Sequence, residues 1–185
     1  MRICLCINDD FNDSELNYSF IGEKIIEASF NDSDIIILPN HAPTNKLTGI
    51  IKDDIIQFEK YKEYQKELIN LAKDYSINVI FGYDYFNGEG IINDYFNVDY
   101  KGNKIESNFH IDKYFNKDYY FSLNNNDGNF VINLSGIEID PNKKTFILNK
   151  YYKDSNSGGA IYTYKGEIIK QIDFNKVDLI YIDFE

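Results

Sequence analysis

The chain is poor in the residues from which most catalytic and metal sites are built. Among 185 residues it carries two cysteines, Cys4 and Cys6, and two histidines, His41 and His110. Residues two apart in a strand share a face, and such a pair makes a poor disulfide. Cys4 and Cys6 are therefore expected as buried, reduced thiols. A reactive thiol needs a basic neighbour, and only Arg2 stands near them in sequence. No spacing of His, Cys, Asp and Glu suits a metal centre. Asn124-Asn-Asn-Asp-Gly128 has calcium-loop ingredients, but lacks the ordered acidic ligands and the closing Glu, so it reads as a turn. Ser157-Gly-Gly159 lacks the Lys and the helix of a phosphate loop. No metal and no cofactor are expected.

Basic residues are also scarce. Lys and Arg number 19 against 30 Asp and Glu, a formal net charge of −11. Binding nucleic acid needs a basic surface to neutralise phosphates, and an anionic membrane leaflet repels the same acidity, so neither partner is expected. No apolar run approaches the roughly 20 residues of a membrane span. Met1-Arg-Ile-Cys-Leu-Cys-Ile-Asn-Asp-Asp10 turns acidic after seven residues, unlike a signal peptide. A cytoplasmic protein is expected. There is no internal repeat, low-complexity linker or domain boundary, and 43% hydrophobic with 16% aromatic residues suffices for one packed core over 1–185.

Periodicity supplies the elements. Arg2–Ile7 reads as a buried strand. Asp13 or Ser14 caps a helix to about Phe30, with Leu16, Phe20, Ile21, Ile25 and Ala28 on one face. Asp34–Leu38 is a short apolar run ended by Pro39, suited to a parallel strand covered on both faces. A polar loop over 41–52 precedes the longest helix, Asp54–Tyr75. Ile77–Phe81 is the next strand, which Gly82 is expected to break. Ile91–Val98 and Lys104–Asn108 bracket Tyr100-Lys-Gly-Asn103, which reads as a hairpin. Phe130–Ile139, Thr145–Asn149, Ala160–Tyr164, Glu167–Ile172 and Val177–Ile182 are further strands, with a Lys165-Gly166 turn. Alternating strands and helices followed by hairpins suit an α/β or α+β layered fold.

Four segments stand in a telling order: Asp34-Ile-Ile-Ile-Leu-Pro-Asn40, Asn78-Val-Ile-Phe-Gly82, Ser107-Asn-Phe-His-Ile111 and Leu134-Ser-Gly-Ile-Glu-Ile-Asp140. Together they resemble the nitrilase superfamily of carbon–nitrogen hydrolases. The resemblance implies an α-β-β-α sandwich over 1–185, with a block missing after residue 140, because a typical member carries a long insertion between Asp140 and Thr145. It also implies chemistry. In that family a Cys thiolate attacks a nitrile or amide carbon, a Glu relays the proton and a Lys stabilises the oxyanion. The positions matching Glu, Lys and Cys here hold Asn40, Asn108 and Glu138, and the position of a second Glu matches Asn116.

These replacements decide the expected activity. Asn40 has no titratable proton near neutral pH, Asn108 lacks the lysine charge, and carboxylate attack by Glu138 on an amide gives an unstable anhydride. Loss of all three leaves no basis for the family reaction. The first reading is thus a catalytically inactive nitrilase-like protein. It acts through binding a partner protein, a second copy of itself, or a small amide or acid. The alternative is an amide or C–N bond hydrolase or transferase whose acid–base chemistry has moved to Glu138 and His110, oriented by Asn40, Asn108 and Asn116. Glu138 lies either at the floor of the old pocket or at a strand edge open to water, and His110 either joins it or is a hydrogen-bonded structural histidine.

Overall fold

The computed structural model describes residues 1–8, 11, 13–43, 54–86, 89–111, 119–125, 127–134, 140–149, 158–173 and 176–185. In chain order the elements are β1 (Arg2–Ile7), α1 (Ser14–Phe30), β2 (Ile35–Ile37), α2 (Asp54–Asp74), β3 (Asn78–Phe86) and β4 (Ile91–Val98). Then come β5 (Asn108–His110), β6 (Tyr120–Leu123), β7 (Phe130–Asn133), β8 (Lys144–Leu148), β9 (Ala160–Tyr164), β10 (Glu167–Ile172) and β11 (Asp178–Asp183).

Two mixed sheets stack face to face. One has the order β11-β1-β2-β3-β4, the other β10-β9-β8-β7-β6-β5. β1, β2 and β3 are parallel, as are β6, β7 and β8. Strand alternation sorts the core into two layers. Ile3, Leu5, Ile7, Ile35, Ile37 and Ile80 face the second sheet, where they meet Phe109, Phe121, Phe130, Ile132 and Phe146. Cys4, Cys6, Ile36, Leu38, Val79 and Phe81 face the other way, onto α1 and α2 through Ile21, Ile25, Ala28, Leu68 and Ala72. Both faces of β1 and β2 are covered, so Ile3 to Ile7 and Ile35 to Ile37 are apolar without interruption. Both thiols are fully buried and free, as the composition implied. Burial pushes the Cys6 thiol up to about 12 and raises that of Cys4 as well.

The result is an α+β layered fold with α1 and α2 on the first sheet. The second sheet carries no helix among the described residues. β7 and β8 are adjacent parallel strands joined by 134–143, where the resemblance expected the missing block.

Two local readings of the sequence are corrected. Gly82 does not end a strand, since β3 continues to Phe86 and pairs with β4 from Val79↔Val98 to Phe86↔Ile91. The glycine is there because another residue packs on it, as described below. The turn over 99–103 closes only a single bridge, Val98↔Lys104, rather than a long hairpin. Asp99 stabilises it by accepting from the Lys101 and Asn103 amides at 2.9 and 2.7 Å. Of the strand expected over Phe130–Ile139, residues 130–133 form β7, and 135–139 lie outside the described residues.

β6 was not anticipated as a strand. It runs parallel to β7 although only residues 124–129 connect them. A parallel connection usually needs a dozen residues or more. Here the loop doubles back along the strands, so that a Cβ on Gly128 would stand 2.6 Å from the Ser122 amide nitrogen and 2.8 Å from the Phe130 carbonyl oxygen. Asn124 begins the reversal with φ 55°, and its Oδ1 accepts from the Leu134 amide at 2.7 Å.

Candidate functional site

Beyond the end of β6, the Asn124 side chain hydrogen-bonds Tyr95 of β4 and so ties the two sheets together there, and ligands of open α/β sheets bind outside strand carboxyl ends. On the first sheet the chain leaves β2 but stays bonded to β3. Leu38 donates to the Ile80 carbonyl at 2.8 Å, Gly82 to Pro39 at 3.3 Å and Ala42 to Gly82 at 3.0 Å. From the end of β1, Asn8 Nδ2 donates to the Ala42 carbonyl at 2.9 Å. These bonds press Asn40 against β3, and a Cβ on Gly82 would lie 1.9 Å from Asn40 Oδ1. Glycine inside a strand marks such a close approach.

Asn40 belongs to a closed ring of polar groups. Its Oδ1 accepts from the His41 amide at 3.1 Å and from Asn93 Nδ2 at 3.0 Å. Asn93 Nδ2 also donates to Asp84 Oδ1 at 3.0 Å. The other oxygen of Asp84 is hydrogen-bonded to His41 Nδ1. Asp84 and Asn93 are register partners on β3 and β4, and so share the face turned toward the second sheet. The carboxylate is 7% exposed and the imidazole 39%, so a buried anion orients a ring that reaches the surface. His41 adopts φ 58°, the left-handed region. Sparsely populated backbone conformations gather at functional sites. Tyr95, two residues along β4, is half-buried between the sheets. Burial raises its phenol, as do Asp94 and Asp84, while the facing Asn124 amide partly offsets them.

The second sheet holds a separate polar group. Asn108 opens β5, where its Oδ1 accepts from Asn125 Nδ2 at 3.0 Å and its Nδ2 reaches Asp127 at 3.4 Å. Asn108 is in register with Ser122, on the outward face of β6, and is exposed. His110 is also outward and exposed, stacked on Tyr120 at 4.6 Å between ring centroids.

The structure therefore brings Asn40 together with His41, Asp84 and Asn93, and Asn108 together with Asn125 and Asp127. It places His110 on the outward face of β5. Glu138 and Asn116 lie outside the described residues. Sequence reading missed Asp84 and Asn93. The available signal was a polar residue at alternate positions on each side of a hairpin, hidden once Gly82 was taken as a strand end.

Chemically, Asn40 and Asn108 each present a neutral carboxamide held by its neighbours. The site has one imidazole–carboxylate pair whose ring tautomer is fixed by Asp84. No group of three or more His, Cys, Asp or Glu among the described residues could hold a metal. None of the described helices is long and apolar enough to cross a membrane.

No family model matches the sequence, and no curated protein does. Solved structures do match in three dimensions. An amidase from Nesterenkonia sp. superposes with TM-score 0.71 at 13% identity, over 100% of this chain and 90% of that one. A variant of the Nesterenkonia sp. AN1 amidase is described as a member of the nitrilase superfamily and superposes with TM-score 0.68. The fold is that of the nitrilase superfamily. A glutamine-dependent NAD⁺ synthetase from Cytophaga hutchinsonii shares this nitrilase fold over 98% of this chain and 42% of its own, with TM-score 0.63 at 16% identity. Among the AN1 amidase structures, one shows acrylamide added to an active-site cysteine, and another holds butyramide. At 185 residues the present nitrilase-like chain is shortened relative to those chains.

Proposed function

We propose that this nitrilase-like protein does not run cysteine-dependent amide hydrolysis, and that it acts by binding a small amide or acid, or a partner protein, at the carboxyl ends of its parallel strands. The observation that carries this reading is the state of Asn40. Asn40, which the sequence resemblance matches to the family's general base, is a neutral carboxamide seated on Gly82 and tied to Asn93 and the His41 amide. Such a group donates and accepts hydrogen bonds but relays no proton. Asn108, at the oxyanion-lysine position, is likewise a neutral amide held by a neighbouring loop.

The test is a direct assay. The purified protein is incubated with butyramide and acrylamide, and ammonia release is followed. No turnover above a denatured control is expected, whereas ligand-observed NMR is expected to show saturable binding of an amide or its acid. Ammonia release that Asn40→Ala leaves intact and Glu138→Gln abolishes would overturn the reading in favour of relocated chemistry.

The second reading, an amide hydrolase or transferase with displaced acid–base groups, gains one specific observation. His41 and Asp84 form an oriented imidazole–carboxylate pair beside Asn40. Asp84→Asn, nearly isosteric, would remove the orienting anion. A turnover that falls at least about a hundredfold in this variant with KM unchanged would favour this reading.

A further inference from the structure

The two helices carry a feature that the polar ring around Asn40 does not explain. α1 and α2 run side by side, and an open groove of about 460 Å³ lies along their outer faces. Its floor is apolar: Tyr18, Ile26, Leu68 and Leu71. Gly22 brings the helices together there, since a Cβ on it would stand 3.2 Å from Leu71. The rim is acidic on both sides, with Glu15 and Glu23 on α1 and Glu67 on α2, and among the described residues no Lys or Arg lines it. The stripe through Ile26 continues one turn to Phe30, which is 76% exposed and meets Tyr75 only edge-on. Leu16, 53% exposed, borders the other end.

A large apolar side chain three-quarters in water at the end of an apolar groove is a place for a partner. The groove follows α1 from Glu15 to Ile26, roughly 17 Å at about 1.5 Å per residue, which matches about three turns of a docked helix. The rim charge selects which helix. Two copies of this chain facing each other here would set glutamates against glutamates, on molecules that each carry −11.

We propose that the α1–α2 groove docks an amphipathic helix of another protein, one that carries Lys or Arg on either side of an apolar stripe. Apolar anchors enter between Ile26 and Leu71 and against Phe30, and the cations meet Glu15, Glu23 and Glu67. This is helix-in-groove recognition with anchors at helical spacing. It concerns a different surface from the polar ring around Asn40 and stands whether or not that ring is catalytic.

The probe is a fluorescent Leu/Lys amphipathic peptide of about 18 residues, roughly 27 Å when helical, titrated with the intact protein and read by anisotropy. Saturable binding is expected, weakening with salt. The combined variant Glu15→Gln, Glu23→Lys, Glu67→Lys is expected to weaken it by at least roughly tenfold. A charge-matched variant of exposed residues elsewhere, Glu106→Gln, Glu167→Lys, Asp178→Lys, is expected to change it less than about twofold. Phe30→Ser, at a site already in water, should weaken it several-fold without changing the urea midpoint. Equal loss in both charge variants means undirected attraction to an acidic protein and overturns the proposal. So does the absence of saturable binding, or an unchanged affinity in Phe30→Ser.

Discussion

Gly82 and Asn40 show how one residue's absence of a side chain fixes another's position. A Cβ at 82 would collide with the Asn40 side chain and lie 2.9 Å from its Cα. Gly82→Ala is therefore expected to lower stability by about 2 kcal/mol, the usual range for overpacking, read as a shift in urea midpoint. Combining it with Asn40→Ala should recover part of that loss, because the side chain in collision is gone while the backbone contact stays. Simple additivity of the two changes would refute the packing account. The buried thiols give a pH prediction. Folded Cys6 titrates near 12 against an ordinary 9.0, because burial disfavours the thiolate, so the folded state holds its proton where the unfolded chain has lost it. This contribution is complete below pH 9 and is lost as pH rises toward 12, at up to about 1.4 kcal/mol per pH unit. Urea midpoints should fall between pH 9 and 11, and less steeply in Cys6→Ala. Native protein at pH 8 should resist iodoacetamide, and both thiols should react once it is unfolded.

At the scale of elements, α1 starts where a cap tells it to. Asp13 Oδ1 accepts from the Glu15 and Leu16 amides at 2.8 and 3.1 Å, with acidic Glu15 in the first turn. Asp13→Ala should cost about 1 kcal/mol by chemical denaturation. The β6–β7 connection is tight at Gly128, where the three atoms nearest to an added Cβ are all backbone. Gly128→Ala is expected to cost on the order of 3 kcal/mol, more than Gly82→Ala, whose first contact is a side chain. The reverse order would mean that the loop can lift off the strands. Much of this level was legible in advance. α1 and α2, β1, β9 and β10 lie where periodicity put them, and Lys165-Gly166 turns with both φ values positive, as a tight hairpin requires. β6 was not legible, because its four residues run straight into an Asn-rich stretch that reads as turn, and nothing local announces a parallel partner.

For the whole molecule, the two ends of the chain close the sandwich. β11 pairs with β1 over its full length, the Met1 amine donates to the Phe184 carbonyl at 2.8 Å, and Arg2 pairs with Asp183. Phe184 then inserts between the sheets against Phe130, Phe146 and Tyr162. Deleting residues 178–185 would open the edge of β1 and empty an aromatic contact in the core. The truncated protein is expected to lose its cooperative thermal transition by circular dichroism, whereas a shortened chain that still melts sharply would show the closure to be dispensable.

The sequence by itself determined the layered class, the reduced and buried thiols, and the resemblance that pointed to a nitrilase fold. Those properties depend on residue type, on spacing of two or about three and a half, and on order along the chain. Only the tertiary structure decided that Asn40 is held in a ring with Asn93, Asp84 and His41, that Asn108 and His110 face outward on β5, and that α1 and α2 leave an acid-rimmed groove. These are contacts between residues tens of positions apart. They are fixed by sheet register and by where a missing Cβ lets two backbones meet, neither of which is written in any local stretch of sequence.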